Sequence, residues 1–270
     1  MLPTQGAAAK RYAQLESDRT PFLHRAREAA VLTIPTLMPP EGHTGSSYYD
    51  TPFQSIGARG VNNLSSKLLM TLLPPNSPFF RLTIDDFDLQ SLAGGEGARG
   101  KVEEALARIE RAAMQEVEAT AVRVPVFEAL KQLIVSGNVL VHMPKDGGVR
   151  VFRLDRYVCQ RDAMGNVLEI ITKETVSPLM LPKEVQELLT KPTGDSQLKS
   201  VDLFTNVKRV NKKWEVHQEV EGQIIPSSLG SFPLDKSPFM SLRMVRIDGE
   251  SYGRGYVEEF IGDLSSLETL

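Results

Sequence analysis

The stretch Pro125-Val126-Phe127-Glu128-Ala129-Leu130-Lys131-Gln132-Leu133-Ile134-Val135-Ser136-Gly137-Asn138-Val139-Leu140-Val141-His142-Met143 changes its hydrophobic period in the middle. Up to Ser136 the apolar residues Phe127, Leu130, Leu133 and Ile134 recur at helical spacing, with Pro125 fitting a first turn. Gly137 is the residue a helix uses to stop in the left-handed region. From Val139 onward the β-branched residues read as a strand. One glycine therefore separates a helical first part of the chain from a strand-rich second part, and an α+β fold with segregated elements follows.

Upstream, the pattern is helical. Residues 7–34 are charged and helix-compatible, with Thr20-Pro21 predicting an interruption. A loop rich in Pro, Gly, Ser and Tyr covers residues 35–50. Thr51-Pro52 reads as a cap and first-turn proline, and Phe53, Ile56, Val61, Leu64, Leu68 and Leu72 mark the expected buried face of the helix that Pro74-Pro75 ends. Residues 80–84 are expected to form a short strand and residues 85–100 an acidic, glycine-rich connection. The clearest amphipathic helix spans residues 98–120, with Val102, Leu106, Ile109, Ala113 and Val117 as a stripe that needs a partner helix.

Downstream, residues 139–143 and 149–154 flank Lys145-Asp146-Gly147-Gly148, a hairpin signal; residues 157–161 and 167–172 flank Met164-Gly165-Asn166, a second. Val201, Leu203, Thr205 and Val207, then Trp214, Val216 and Val220, continue an antiparallel sheet. A short helix is expected at 181–190 and a mobile tip at 191–197. Residues 239–247 return toward the helical layer. Gly253-Arg254-Gly255 then permits a tight strand-to-helix turn, with a positive φ expected at Gly253. The helix after it, with Val257, Phe260, Ile261, Leu264, Leu267 and Leu270 at helical spacing, reads as unfinished, as in the front part of a longer protein.

Composition limits the function classes. The 270 residues carry 31 Lys and Arg against 34 Asp and Glu, with one cysteine and four histidines. A formal charge of −3 argues against a broad nucleic-acid grip, which depends on displacing counterions with Lys and Arg. No apolar run approaches the ~20 residues of a membrane span, no signal peptide opens the chain, and a lone Cys159 closes no internal disulfide. His24, His43, His142 and His217 are scattered without ligand spacing, so neither metal nor cofactor is expected. No Gly-x-Ser-x-Gly elbow supports hydrolysis, and Asp85, Asp86 and Asp88 read as a solvated turn. Gly95-Glu96-Gly97-Ala98-Arg99-Gly100-Lys101 has the glycines and lysine of a phosphate-binding loop, but Val102 stands where a hydroxyl should hold magnesium. A nucleotide-dependent enzyme built on residues 95–101 is the alternative reading, and a generic DNA-binding module a third.

Four blocks carry a resemblance: Tyr49-Asp50-Thr51-Pro52-Phe53-Gln54-Ser55-Ile56-Gly57-Ala58-Arg59-Gly60-Val61-Asn62-Asn63-Leu64, Leu130 to Asn138 as quoted, Gln160-Arg161-Asp162-Ala163-Met164-Gly165-Asn166-Val167-Leu168, and the ending from Met244. In this order they resemble the head-to-tail connector, or portal, proteins of short-tailed bacteriophages of the autographivirus type. The resemblance implies a virion protein assembled in the host cytoplasm. Its subunits form a dodecameric ring at one capsid vertex, a conduit for viral double-stranded DNA that meets capsid and scaffolding proteins, terminase and tail adaptor, without enzymatic activity. Residues 1–255 would be its wing (1–137 mainly helical, 138–250 mainly antiparallel β). Residues 256–270 would start the helix toward a stem, with the remaining stem, clip and crown absent.

Candidate subunit contacts follow from exposed polar faces. Arg59, Asn62, Asn63 and Lys67 crowd one side of the second helix. Arg243 and Arg246 alternate with apolar residues and are expected to project toward an acidic neighbour such as Glu258 and Glu259.

Overall fold

A computed structural model describes residues 4–75, 77–85, 98–144, 147–183, 185–186 and 200–269. Its helices are α1 (Ala7–Val31), α2 (Ile56–Leu72), α3 (Ala98–Ala119), α4 (Arg123–Ser136) and α5 (Ile261–Thr269). Strands β1 (Asn138–His142), β2 (Arg150–Phe152) and β9 (Phe239–Arg243) form a three-stranded antiparallel sheet in the order β2-β1-β9. A second sheet runs β3 (Tyr157–Arg161), β4 (Val167–Val176), β5 (Val201–Val210), β6 (Lys213–Val220) and β7 (Gln223–Ile224), with β8 (Gly230–Pro233) also paired to β6. The fold is α+β with segregated layers, as the change of period at Gly137 predicts. The expected single sheet is two, because β9 returns to pair with β1 rather than extending the meander.

Helix α1 runs unbroken through Pro21, against the expected interruption. Proline in a helix interior costs ~3 kcal/mol, and α1 is held on both sides of it. Before Pro21, the buried Glu219 carboxylate accepts hydrogen bonds from the N–H groups of Ala8 (3.2 Å) and Ala9 (3.3 Å), an anion on a helix N-terminus. The buried Arg19 donates to the carbonyls of Leu154 (3.2 Å) and Tyr157 (3.0 Å). After Pro21, Leu23, Ala26, Ala29 and Ala30 enter the main core with Ile134, Leu140, Leu154, Tyr157 and Tyr252. Burying Leu23 is worth about 1.5–3 kcal/mol and each alanine methyl about 0.8 kcal/mol, so together they outweigh the proline.

Helix α2 begins at Ile56, four residues later than the Thr51-Pro52 signal places it. The preceding segment is tied elsewhere: Phe53 and Gln54 donate their N–H groups to the Glu268 carboxylate (2.9 and 3.3 Å), and the Gln54 amide donates to Leu32 O (2.7 Å). Phe53 is consequently exposed rather than buried, and Ile56 and Leu72 are exposed at the ends of the helix. Only its middle is inside, with Val61 in the core and Leu64 and Leu68 packed against it.

Residues 80–84 are not a strand; no described strand pairs with them. Helix α4 starts at Arg123, two residues before Pro125, and ends as predicted with Gly137 in the left-handed region (φ 72). The α3 stripe is only half covered by the described residues, and Ile109 is exposed. The residue 85–100 connection lies largely outside the described residues, as do Asp86 and Asp88, the start of the 95–101 loop, Lys145-Asp146, much of 181–190, the 191–197 tip and Leu270. No described helix is long and apolar enough to cross a membrane.

Candidate assembly site and the junction behind it

Three of the four resemblance blocks meet at one point of the structure. The C-terminus of α4 packs against residues 253–255 so closely that side chains are excluded. A Cβ on Gly255 would stand 2.3 Å from Val135 O, and one on Gly137 would stand 2.2 Å from the Arg254 carbonyl carbon. Gly253 does not take the expected positive φ; its glycine is required by crowding, since a Cβ there would lie 2.9 Å from Gly137 O, Val245 O and Arg243 Cβ.

Hydrogen bonds lock the contact. The buried Asn138 side chain copies a strand partner, donating from Nδ2 to Gly253 O (2.9 Å) and accepting from Gly253 N–H (2.7 Å). Met244 N–H donates to Gly137 O (2.9 Å), and Val245 and Arg254 exchange backbone bonds (3.2 and 3.0 Å). Tyr252, buried and packed on the Phe22 ring, accepts from Cys159 N–H (2.9 Å). Burial pushes the Tyr252 hydroxyl well above the ordinary tyrosine range and also raises the Cys159 thiol, so both stay neutral. Residues 252–255 are thus fixed to both sheets and to α4 before the chain turns into α5.

The third block supplies an arginine cluster. Arg161 donates to three carbonyls, Ser251 O (2.9 Å), Gly165 O (3.0 Å) and Ser241 O (2.8 Å). Arg243 donates to Glu250 O (2.7 Å) and Arg246 to Met164 O (3.1 Å). Desolvation, then the neighbouring Arg161 and Arg246, lower the Arg243 pKa. Both predicted basic residues thus pack within their own chain around the 162–166 turn.

Within the protomer, neither Glu258 nor Glu259 forms an ion pair with Arg243 or Arg246 among the described residues. Glu258 accepts from Gly255 N–H (3.1 Å), closing the turn into α5, and lies 3.7 Å from both Arg25 and Arg254. Glu259 is exposed. Arg59, Asn62, Asn63 and Lys67 are all exposed on α2, and their side chains make no hydrogen bond or ion pair with the described residues. They are the predicted residues presented most openly to a partner. Sequence reasoning missed Asn138, Arg161 and Glu268. An amide directly after a helix-stopping glycine is the signal that points to Asn138; the other two form long-range bonds that no local pattern announces.

No described group of three or more His, Cys, Asp or Glu side chains is placed to hold a metal ion. Lys101 and Val102 of the phosphate-loop near-match lie in the first turns of α3.

The family model described as "Bacteriophage head to tail connecting protein" matches residues 5–270. The chain belongs to this family. It is 40% identical to the portal protein of Escherichia phage T7 over 96% of the chain and 50% of that relative. It is 42% identical to the portal protein of Enterobacteria phage T3 over 100% of the chain and 51% of that relative. The portal protein of Pseudomonas phage phiKMV is 34% identical over 91% of the chain. This connector chain spans about half the length of the curated relatives it matches. Its family model runs through α1 to α5, so the interlocked junction falls inside the family's own region rather than in an appended segment.

Proposed function

We propose that the chain is the wing of a structural, non-enzymatic portal subunit that works in a closed dodecameric ring at one capsid vertex. The match of the head-to-tail connecting family along nearly the whole chain carries this reading. In it, residues 1–255 form the folded wing and residues 256–270 lead toward a stem. The ring is a conduit through which double-stranded DNA is packaged and ejected without sequence-specific binding, and it meets capsid and scaffolding proteins, terminase and a tail adaptor. The formal charge of −3 favours DNA that slides past rather than binds.

The junction gives the reading a mechanical sense. A ring closes only if the angle between successive contacts is fixed, and force along the stem must reach the wing without bending the link. The excluded Cβ positions at Gly137, Gly253 and Gly255, with the Asn138 bonds, make that link stiff. Arg59, Asn62, Asn63 and Lys67 are the subunit contacts we favour, with Glu259 beside the stem-directed helix; Arg243, Arg246 and Glu258 serve assembly through the junction they build. Labelling the full-length protein and imaging virions by electron microscopy tests the assignment. Label at the flange of the portal vertex is expected, and a full-length protein absent from that vertex refutes it.

A further inference from the structure

Three guanidinium groups converge on the 162–166 turn, and their own chain supplies little negative charge to meet them. A Cβ on Gly165 would stand 3.0 Å from Arg243 Nη2 and 3.1 Å from Arg246 Cζ, so these two groups lie within about 6 Å of one another. Arg161 reaches the same turn through Gly165 O. Every hydrogen bond that the three donate goes to a neutral oxygen, either a backbone carbonyl or the Ser241 hydroxyl (3.0 Å). Carbonyls satisfy the N–H groups and leave the charges in place.

Among the described residues, the carboxylates of this region are engaged elsewhere. Asp162 accepts from the N–H (2.7 Å) and the side-chain amide (2.9 Å) of Asn166, and the arginine that bears on it is Arg209. Glu250 is held by Arg254 (2.8 and 3.3 Å). Asp248 approaches Arg246 to 3.7 Å, but its side chain is 93% exposed, and such a pair is worth little in water. The charged groups that bear on Arg243 are Arg161 and Arg246, not an acid. Donors remain: Nε and Nη2 of Arg243, and Nε and Nη1 of Arg246, have no partner among the described residues and are not sealed from solvent.

The surface around these donors is apolar. Met164 is 76% exposed, and Leu242, Met244, Val245 and Ile247, which interleave with the two arginines in sequence, are exposed as well. Arginine and methionine with few acids is the composition of a protein–protein contact. Arginines already pinned to carbonyls lose little rotamer freedom on binding. A nucleic-acid backbone would meet the charge but leave the apolar side chains uncovered, and the formal charge of −3 opposes a long polyanion.

We propose that this surface docks an acidic segment of a partner protein, one carboxylate held between Arg243 and Arg246 and an apolar side chain seated against Met164. The site is separate from the polar face of α2, and it stands on the arginine cluster rather than on the portal reading.

Fluorescence anisotropy of a labelled synthetic peptide in which leucines recur among glutamates, titrated with the full-length protein, tests it. Saturable binding that weakens with salt is expected, and the same peptide with glutamine in place of glutamate should lose it. Arg246→Glu should weaken binding about tenfold. Asp248→Asn removes the competing carboxylate and should tighten it by up to about fivefold. Met164→Asp should weaken it with all three arginines in place, and thermal melting confirms that each variant is folded. A peptide that fails to bind, or that binds Arg246→Glu and the parent alike, overturns the proposal. Short duplex DNA that binds the parent and not Arg246→Glu, while the peptide binds neither, overturns it in favour of a phosphate contact. Ring assembly, read from particle mass, is independent of both results.

Discussion

Replacing Gly255 by Ala tests the junction with the smallest available perturbation. The added carbon would stand 2.3 Å from Val135 O, 2.9 Å from Val135 C and 3.1 Å from Ile134 O, where ordinary contact begins at 3.4 Å. The deficit at the closest oxygen is about 1 Å. The obstacle is the backbone of the last turn of α4, which cannot rotate away as a side chain can. Gly255 itself is at φ −77, a conformation alanine accepts, so the cost is packing alone. Overpacking of this kind costs about 1–3 kcal/mol. In a chain of this size each kcal/mol moves Tm by about 2–4 °C, which gives a fall of roughly 2–12 °C. The same substitution at Gly60, inside α2 with nothing within 4 Å, should instead stabilise by about 0.5–1 kcal/mol. Thermal melting of the two variants beside the parent decides the matter. If Gly255→Ala melts with the parent or above it, the close approach of α4 and residues 253–255 is wrong.

Asn138→Ala leaves Gly253 N–H and C=O without their partner in a buried site, so a loss of about 2–4 kcal/mol is expected in denaturant unfolding, the lower bound falling if water enters. Amide exchange should show the loosening centred on residues 252–258. His142 and His217 are both held below the ordinary histidine pKa, chiefly by desolvation. Their folded pKa lies below the unfolded value of about 6.5, so acid protonates the unfolded chain first. Stability from these groups is complete above about pH 6.5 and falls as pH drops toward their folded pKa. His217→Gln should flatten the Tm profile between pH 7 and pH 5; an unchanged slope excludes His217 as its source. Lys101→Ala should leave nucleotide binding at background and Tm within about 1 °C, since the side chain is exposed in the first turn of α3. ATP hydrolysis present in the parent and lost in this variant would favour the enzymatic alternative.

Local chemistry made most of the fold legible. Gly137 announces its own left-handed φ, and the Gly147-Gly148 and Gly165 turns announce their hairpins, because these requirements are settled within a few residues. Pro21 misleads for the opposite reason. The terms that keep α1 straight come from Glu219, Leu154 and Tyr157, all far away in sequence. Phe53 misleads likewise, since its helical spacing is overridden by the Glu268 carboxylate that holds its N–H outside α2. The arginines at 243 and 246 were visible as a basic row, but not that carbonyls of their own chain would engage them. Of the candidate assembly site, the exposed polar face of α2 was legible because amphipathicity is periodic.

Ring closure can be read from the mass of the assembled full-length protein in solution. Subunits that close into the proposed ring give one discrete species at twelve times the protomer mass, unchanged on moderate dilution. A protein that stays monomeric at assembly concentrations, or grows into a continuous series of filament masses, would contradict it.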